Sequence, residues 1–129
     1  MKIAGYAALF DIADGAKDTI VAGAFAKSLT KRTEPIPLYW QHNPDQRIGT
    51  VQLAEEDTRG LRVIASIDNP ESRAVADLLA KRVSGLSFGY RARGYERTGD
   101  GRVLHDIDLF EVSLVSHPLQ PTARVHLLV

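Results

Sequence analysis

Two long strand-like segments on either side of a short glycine-containing turn constrain this chain more than any other feature of its sequence. Residues 86–97 and 102–116 have the length and the β-branched and aromatic content of strands, and Thr98-Gly99-Asp100-Gly101 lies between them. Asp-Gly is a strong signal for a tight hairpin turn. We therefore predict an antiparallel hairpin, whose register places Ser87 opposite about position 112 and so close to Glu111.

The remaining pattern of apolar residues and turn signals predicts a mainly β chain with two helices, an α+β fold. Apolar runs predict strands at residues 2–9, 36–40, 48–54 and 60–67, and helical spacing predicts helices at residues 23–32 and after Asn69. For the second helix, Asn69 is a good N-cap and Pro70 fits the first helical position. No repeat or low-complexity tract is present, so we expect one domain over residues 1–129.

Ser87 lies in a segment with closely spaced glycines, Ser84-Gly85-Leu86-Ser87-Phe88-Gly89-Tyr90. Because side chains alternate between the two faces of a strand, Gly85, Ser87 and Gly89 share a face that carries no other side chain beside the hydroxyl. Glycine inside a strand often marks a place where another backbone approaches closely, and a peptide substrate would be one such backbone. A bulge or a barrel corner with an incidental serine explains the same residues.

His42 and Glu111 are the residues that could activate such a hydroxyl. His42 follows a predicted strand and precedes the turn signal Asn43-Pro44, so we expect it at a strand end. A hydroxyl is a weak nucleophile unless a base takes its proton and a carboxylate orients that base. A histidine on a surface loop is the alternative for His42 taken alone.

Glu111 interrupts the apolar run 107–115. By simple alternation it shares a strand face with Leu109 and Ser113. A carboxylate is costly to bury in such a strand unless a partner compensates its charge, and a protonated histidine would do so. A glutamate that points to solvent from a half-buried sheet is the alternative.

Short motifs spread over most of the chain resemble one known family. In order they are Gly5-Tyr6-Ala7, Leu9-Phe10-Asp11, Gly23-Ala24-Phe25, Trp40-Gln41-His42, Ile48-Gly49, Gly85-Leu86-Ser87-Phe88-Gly89-Tyr90, and Glu111-Val112-Ser113-Leu114-Val115 with Pro118. Their order and spacing resemble the prohead maturation proteases of tailed phages, which trim capsid and scaffold proteins during head assembly. That family in turn resembles the herpesvirus assembly proteases, which use a serine and two histidines on a β-barrel.

The resemblance implies a serine endopeptidase on a closed or partly open β-barrel of herpesvirus-protease type. By motif position it implies Ser87 as the nucleophile, His42 as the base and Glu111 as the third member, where the herpesvirus pattern has a second histidine. The following loop reads Ser116-His117-Pro118-Leu119-Gln120-Pro121 instead of the expected Thr/Ser-x-Pro-Ala-Asn-Pro. We expect oxyanion donors in this loop.

The expected substrate and oxyanion region comprises Gly85, Gly89, His117, Leu119 and Gln120. Among these residues, His117 is also a rival to Glu111 as the third catalytic member, or to His42 as the base. The choice between Glu111 and His117 stays open from the sequence.

The resemblance also implies partners. The substrate would be a major capsid protein precursor or a scaffold protein, inside the assembling prohead in the bacterial host cytoplasm. Herpesvirus relatives pair through a helix, so we expect a homodimer or higher oligomer through the apolar helix face Ala74, Val75, Leu78 and Leu79. Packing of this face on the barrel is the alternative. Relatives usually continue into a C-terminal tail, which leaves open a truncated, self-trimmed or short chain.

Composition removes several other functions from consideration. Lys plus Arg and Asp plus Glu number 16 each, which argues against binding nucleic acid through phosphate contacts. Cysteine is absent, so disulfides and cysteine-based metal or redox sites are excluded. No apolar run approaches the ~20 residues that span a bilayer, and the N-terminus lacks signal-peptide features, so we expect no membrane association and a cytoplasmic origin.

The four histidines, at positions 42, 105, 117 and 126, match no metal-ligand spacing, so we expect no metal and no cofactor. A catalytically silent β-barrel module in capsid assembly or scaffolding is the alternative function.

Overall fold

The computed structural model of the chain describes residues 1–129, apart from the side chain of Leu127. Eight strands and two helices follow one another as β1 (Lys2–Leu9), β2 (Asp18–Ile20), α1 (Ala26–Lys31), β3 (Ile36–Trp40), β4 (Asn43–Glu56), β5 (Gly60–Ile67), α2 (Arg73–Leu79), β6 (Gly85–Thr98), β7 (Gly101–Val115) and β8 (Val125–Leu128). No helix among the described residues is long and apolar enough to cross a membrane.

The strands form one curled sheet in the order β2-β7-β3-β4-β5-β1-β8, with β6 paired to the other edge of β7. A bridge between Gly85 and Arg124, with a hydrogen bond from Leu86 N–H to Ala123 O (2.8 Å), links β6 to the segment before β8. The two ends of the sheet therefore meet, and the apolar core lies inside the curl.

The predicted hairpin of β6 and β7 is confirmed. Thr98 pairs with Gly101, so the two-residue loop is Gly99-Asp100, one position before the Asp-Gly signal. Gly99 has φ 59°, and among the described residues Asp100 is not in the positive-φ region. This pattern is that of a type II′ turn, whose first central residue needs the conformational freedom of glycine.

The start of the second helix was predicted three residues too early. The N-cap of α2 is Ser72, whose Oγ accepts the Val75 N–H at 3.4 Å. Asn69 instead closes a turn before the helix, since its side chain accepts the Glu71 N–H at 2.9 Å and its carbonyl accepts the Ser72 N–H. A local side-chain bond here competes with helix formation.

Most of the apolar face of α2 packs on the barrel. Ala74, Val75 and Leu78 are buried within the chain, and only Leu79 is exposed, at 61 %. The predicted pairing of two chains through this face therefore lacks the surface it needs. The expectation of an oligomer itself stays a prediction.

Two short strands were not predicted. β2 runs parallel to the start of β7, and β8 runs antiparallel to β1. An ion pair between buried Asp18 and half-buried Arg102 fixes β2. The Arg102 guanidinium donates from Nε and Nη2 to the Asp18 carboxylate at 2.9 and 2.8 Å, and Tyr90 Oη donates to Asp18 Oδ2 at 3.1 Å. The hydrogen bond from Arg102 holds the pKa of Asp18 below its usual range, and burial, with the hydrogen bond to Asp18, raises the pKa of Tyr90 to about 12.

The Asp18 pair makes stability depend on pH in a definite direction. Because the pKa of Asp18 is lower in the folded than in the unfolded chain, its carboxylate stabilises the fold above the unfolded pKa, and this contribution is lost as the pH falls through the folded pKa. We expect Asp18→Asn to lower the free energy of unfolding by about 2–3 kcal/mol at pH 7, since it leaves the half-buried Arg102 without its charged partner.

Urea denaturation of the wild type and of Asp18→Asn, from pH 7 downward, measures the difference between their free energies of unfolding. This difference should become smaller below about pH 4, where the Asp18 carboxylate becomes protonated in the unfolded chain. Asp100→Asn is the control, because Asp100 is exposed and pairs with exposed Lys17 at 2.5 Å. A difference for Asp18→Asn that stays constant with pH would contradict the assignment.

Candidate active site

His42 lies in the two-residue turn that joins β3 to β4. Trp40 pairs with Asn43, so Gln41 and His42 are the central residues, with φ of 53° and 60°. Two positive φ values define a type I′ turn, which favours asparagine and glycine because larger side chains crowd the left-handed region. The turn therefore holds His42 in a backbone conformation that needs support from elsewhere in the fold.

That support comes from β7, which runs parallel to β3. The Gln41 N–H donates to Leu114 O at 2.9 Å, and the His42 N–H donates to Ser113 Oγ at 3.2 Å. The Gln41 side chain donates to Ser116 Oγ at 2.7 Å and accepts the Ser116 N–H at 3.1 Å. Consecutive residues of the turn are thus hydrogen-bonded to the end of β7.

The His42 imidazole is bonded to Glu111. Nδ1 of His42 lies 2.6 Å from Oε1 of Glu111, whose side chain is 9 % exposed against 42 % for the imidazole. An ionised carboxylate can only accept, so Nδ1 carries the proton. In the neutral imidazole the other ring nitrogen, Nε2, then carries no proton and is available as a base.

Ser113, which is fully buried, forms hydrogen bonds with both His42 and Glu111. Its hydroxyl donates to Oε2 of Glu111 at 2.6 Å while accepting the His42 main-chain N–H. Both oxygens of Glu111 therefore have a hydrogen-bond partner, which meets the requirement for a buried carboxylate.

A bulge in β7 places Glu111 on the face where His42 can reach it. Gly89 pairs with Glu111 and Tyr90 with Leu109, which leaves Phe110 as an extra, exposed residue. The prediction that Glu111 shares a face with Leu109 is therefore wrong: Leu109 belongs to the core, and the extra residue moves Glu111 to the opposite face. The prediction that Glu111 and Ser113 share a face is confirmed by their hydrogen bond.

Helix α1 braces the bulge. The Leu109 N–H donates to Ser28 Oγ at 2.9 Å, and the Arg32 guanidinium donates to Leu109 O at 2.7 Å and to Phe110 O at 3.3 Å. Main-chain groups that the irregular ladder leaves without a strand partner are satisfied by side chains of the helix and of its C-cap residue, Arg32.

Ser87 lies on β6, directly opposite Ser113. Hairpin register had placed it opposite about position 112, and the bulge accounts for the difference of one residue. Directly paired residues of antiparallel strands point to the same face, so Ser87 is on the face of Ser113 and Glu111. The Ser87 residue is 4 % exposed, and within the described part of the chain its hydroxyl has no hydrogen-bond partner.

The space that Gly85 and Gly89 leave beside Ser87 is filled by the chain itself. A Cβ at Gly89 would overlap Oε1 of Glu111, and a Cβ at Gly85 would lie 2.7 Å from Cδ of Pro118. The expectation that these glycines admit a substrate backbone is therefore corrected. Gly89 admits the carboxylate that binds His42, and Gly85 admits the loop after β7.

The expected oxyanion loop lies beside Ser87, but its residues have different surroundings. His117 and Leu119 are exposed, and Leu119 O accepts the Gly15 N–H. Gln120 is buried: its amide accepts the Leu9 N–H at 2.7 Å and donates to Leu9 O and Ile12 O. The Gln120 side chain thus ties the loop to β1 and is not directed to Ser87.

The structure brings together His42, Glu111 and the strand position of Ser87. The partner of His42 Nδ1 is Glu111, and His117 does not take that position. Among the described residues, no group of three or more histidine, aspartate or glutamate side chains is arranged to hold a metal ion.

Sequence reasoning missed three residues of the site: Gln41, Ser113 and Ser116. Ser113 could have been found from the sequence, because residues two apart in a strand lie on the same face and Ser113 is two residues after Glu111. For Gln41 and Ser116 no local pattern exists, since their contact depends on a parallel pairing between distant strands.

Comparison with known proteins decides the family. The sequence profile described as caudovirus prohead serine protease matches residues 1–129. The chain belongs to this family. It is 29 % identical over 129 residues to the prohead protease of Enterobacteria phage HK97, a match that covers 94 % of this chain and 57 % of that protein.

A second relative is the capsid polyprotein of Pseudomonas phage PAJU2. It is 29 % identical over 102 residues, which cover 70 % of this chain and 15 % of the polyprotein. The chain thus spans little more than half of the first relative and a small part of the second.

Solved structures confirm the predicted fold. The fold is similar to that of KSHV protease in complex with a hexapeptide phosphonate inhibitor, with a TM-score of 0.63 and 14 % identity over 96 % of this chain and 63 % of that one. It is similar to varicella-zoster virus protease, with a TM-score of 0.64 and 18 % identity over 97 % of this chain and 62 % of that one. It is also similar to the bacteriophage T4 capsid assembly protease, with a TM-score of 0.66 and 12 % identity over 88 % of this chain and 79 % of that one. At these identities the likeness concerns the fold alone.

Gly89 offers a test of the packing around Glu111. We expect Gly89→Ala to lower the rate at which a fluorophosphonate probe labels the protein by about 10²-fold, because the added methyl displaces the carboxylate from His42.

Gly94→Ala on the same strand is the control, because its methyl meets the exposed His105 side chain, which can move. Labelling rates are compared by gel fluorescence, with urea denaturation as the check on folding. Equal rates for both variants would refute the role of Gly89.

Proposed function

We propose that this chain is a serine endopeptidase in which Ser87 is the nucleophile, His42 the general base and Glu111 the residue that orients it. The observation that carries the proposal is the 2.6 Å contact between His42 Nδ1 and Glu111 Oε1, on the strand next to Ser87 and on the same face. Gly89 lies under that carboxylate, and Ser87 is two residues, or roughly 6.6 Å, from Gly89 along the same strand face.

The reaction follows from these positions. Ser87 Oγ attacks the carbonyl carbon of the scissile peptide while Nε2 of His42 takes its proton, and the negative charge of Glu111 stabilises the imidazolium. The imidazolium then gives the proton to the leaving amine. Water hydrolyses the acyl-enzyme in the same way, with His42 again as base, and Ser87 is regenerated.

The oxyanion donors are proposed to come from the loop after β7. Pro118 has no N–H, and the Ser116 N–H is bonded to Gln41. The N–H groups of His117 and Leu119 have no partner among the described residues, and Pro118 beside Gly85 brings their loop next to Ser87. Main-chain donors held in this way stabilise the charge of a tetrahedral intermediate.

We propose that the substrate peptide adds a strand to the outer edge of β6. The Leu86 N–H points away from β7, because it donates to Ala123 O. By alternation the main-chain groups of Phe88 and Tyr90 also point outward, and the described residues provide no backbone partner for them. Extended peptides bind to such edges through main-chain hydrogen bonds. An extended segment of a flexible precursor fits this site better than a folded surface does.

The proposed substrate is a capsid or scaffold precursor, cleaved inside the assembling prohead. A related segment occurs within a capsid polyprotein, and another relative is named as a prohead protease. A protease and its capsid substrate would then be made together, and cleavage would be confined to the particle.

Co-expression with the proposed capsid precursor tests this function. We expect the wild-type chain to shorten the precursor at one or a few sites and Ser87→Ala to leave it intact. Ser84→Ala is the matched control, because Ser84 lies before β6, where its Oγ accepts from Arg124 Nη1 at 2.9 Å. Precursors of equal length with wild type and Ser87→Ala would favour a catalytically silent module.

The roles within the triad are separable by substitution. We expect His42→Ala to lower turnover by roughly 10⁶-fold, as much as Ser87→Ala, and Glu111→Gln by roughly 10⁴-fold, because base and nucleophile act as a unit while the third member orients.

His117→Ala is the comparison for the third member. Cleavage of a peptide spanning the precursor site gives the rates, with thermal denaturation as a check on folding. A larger loss for His117→Ala than for Glu111→Gln would make His117 the third member.

A further inference from the structure

We propose that Gln41 is a positioning residue. By binding Ser116, it holds the turn that contains His42 in a fixed position relative to the loop beside Ser87. The inference rests on the proposed serine-protease function. It concerns a residue that does not touch the reacting atoms but connects two segments that do.

The first observation is the unusual backbone of the turn. Gln41 and His42 both have positive φ, although neither is glycine, asparagine or aspartate. Asparagine in the first central position would suit a type I′ turn better. Strained residues persist where the surrounding structure holds them, and they concentrate at functional sites. A glutamine here therefore calls for a reason other than turn stability.

The second observation is what the glutamine side chain does. Nε2 donates to Ser116 Oγ at 2.7 Å, and Oε1 accepts the Ser116 N–H at 3.1 Å, so the amide is bonded at both ends to one residue. Asparagine is one methylene shorter and cannot span the same gap. Glutamine therefore suits the turn less well than asparagine, but its longer side chain makes two hydrogen bonds to Ser116.

The third observation is where Ser116 leads. It follows β7 directly, and two residues later Pro118 lies against Gly85, on the face of Ser87. The hydrogen bonds between Gln41 and Ser116 thus fix the position of the turn that contains His42 relative to the loop beside Ser87. Gln41 and Ser116 are both exposed, so water competes for these bonds and they contribute little to stability. Their effect is on geometry, where a shift of about 1 Å can cost about 10²-fold in rate.

The decisive variant is Gln41→Asn. It suits the left-handed turn at least as well as glutamine but loses the connection to Ser116. We expect the maximal rate of labelling of Ser87 by a fluorophosphonate probe to fall about tenfold, with the half-saturating probe concentration unchanged and the melting temperature equal to or above that of wild type. In the labelling step the Oγ–P bond forms, the P–F bond breaks, fluoride leaves and His42 takes the proton.

Two further variants separate positioning from a general structural effect. Gln41→Glu keeps the reach and can accept from both the N–H and the hydroxyl of Ser116, so it should restore most of the rate. Gln52→Asn is the matched control, because Gln52 is an exposed glutamine on β4 that takes no part in the site, and it should label like wild type.

The outcomes separate this proposal from the function on which it rests. A slow but stable Gln41→Asn, with Gln41→Glu restored, supports the positioning role. Labelling of Gln41→Asn at the wild-type rate overturns it and leaves the protease function intact, as does a loss of rate that only follows a fall in melting temperature. Absence of labelling at Ser87 in the wild-type chain overturns the protease function and the positioning role together.

Discussion

The alternation of side chains between the two faces of β7 shifts by one residue at Phe110, and the site depends on this change of phase. Leu109 and Val112 both point into the core, although a regular strand would put residues three apart on opposite faces. The extra residue, Phe110, resolves this conflict and sends Glu111 to the other face, opposite Gly89. Without the bulge the carboxylate would either be buried in the core or displace the apolar residues that follow it.

The surrounding elements stabilise this change of phase. Helix α1 and its C-cap residue supply the hydroxyl and the guanidinium that satisfy the irregular main chain. Gly89 gives the carboxylate its space, and Ser113 and His42 each bind one of its oxygens. The residues that make these contacts are explained by the need to place one buried carboxylate. The placement of Glu111 thus links the core, the helix and His42.

The long hairpin, the strand positions of Ser87 and Glu111, and the place of His42 just after a strand could be predicted from the sequence, because alternation and turn residues are local signals. The face of Glu111 could not, since a bulge adds one residue and inverts every face beyond it. The contact of His42 with Glu111 could not either, because it depends on a parallel pairing of distant strands. The purpose of Gly85 and Gly89 was misread for the same reason: the groups that fill their space belong to other segments.

The pairing of β3 with β7 also orders events during synthesis and folding. His42 and Glu111 are 69 residues apart in the chain, and they meet only when two parallel strands come together across that interval. Such contacts form late, since the entropy of closing a long loop must be overcome before they contribute. A nascent or partly folded chain carries Ser87 and His42 but not the hydrogen bond between His42 and Glu111. The arrangement of His42, Glu111 and the strand of Ser87 is therefore among the last parts of the fold to form.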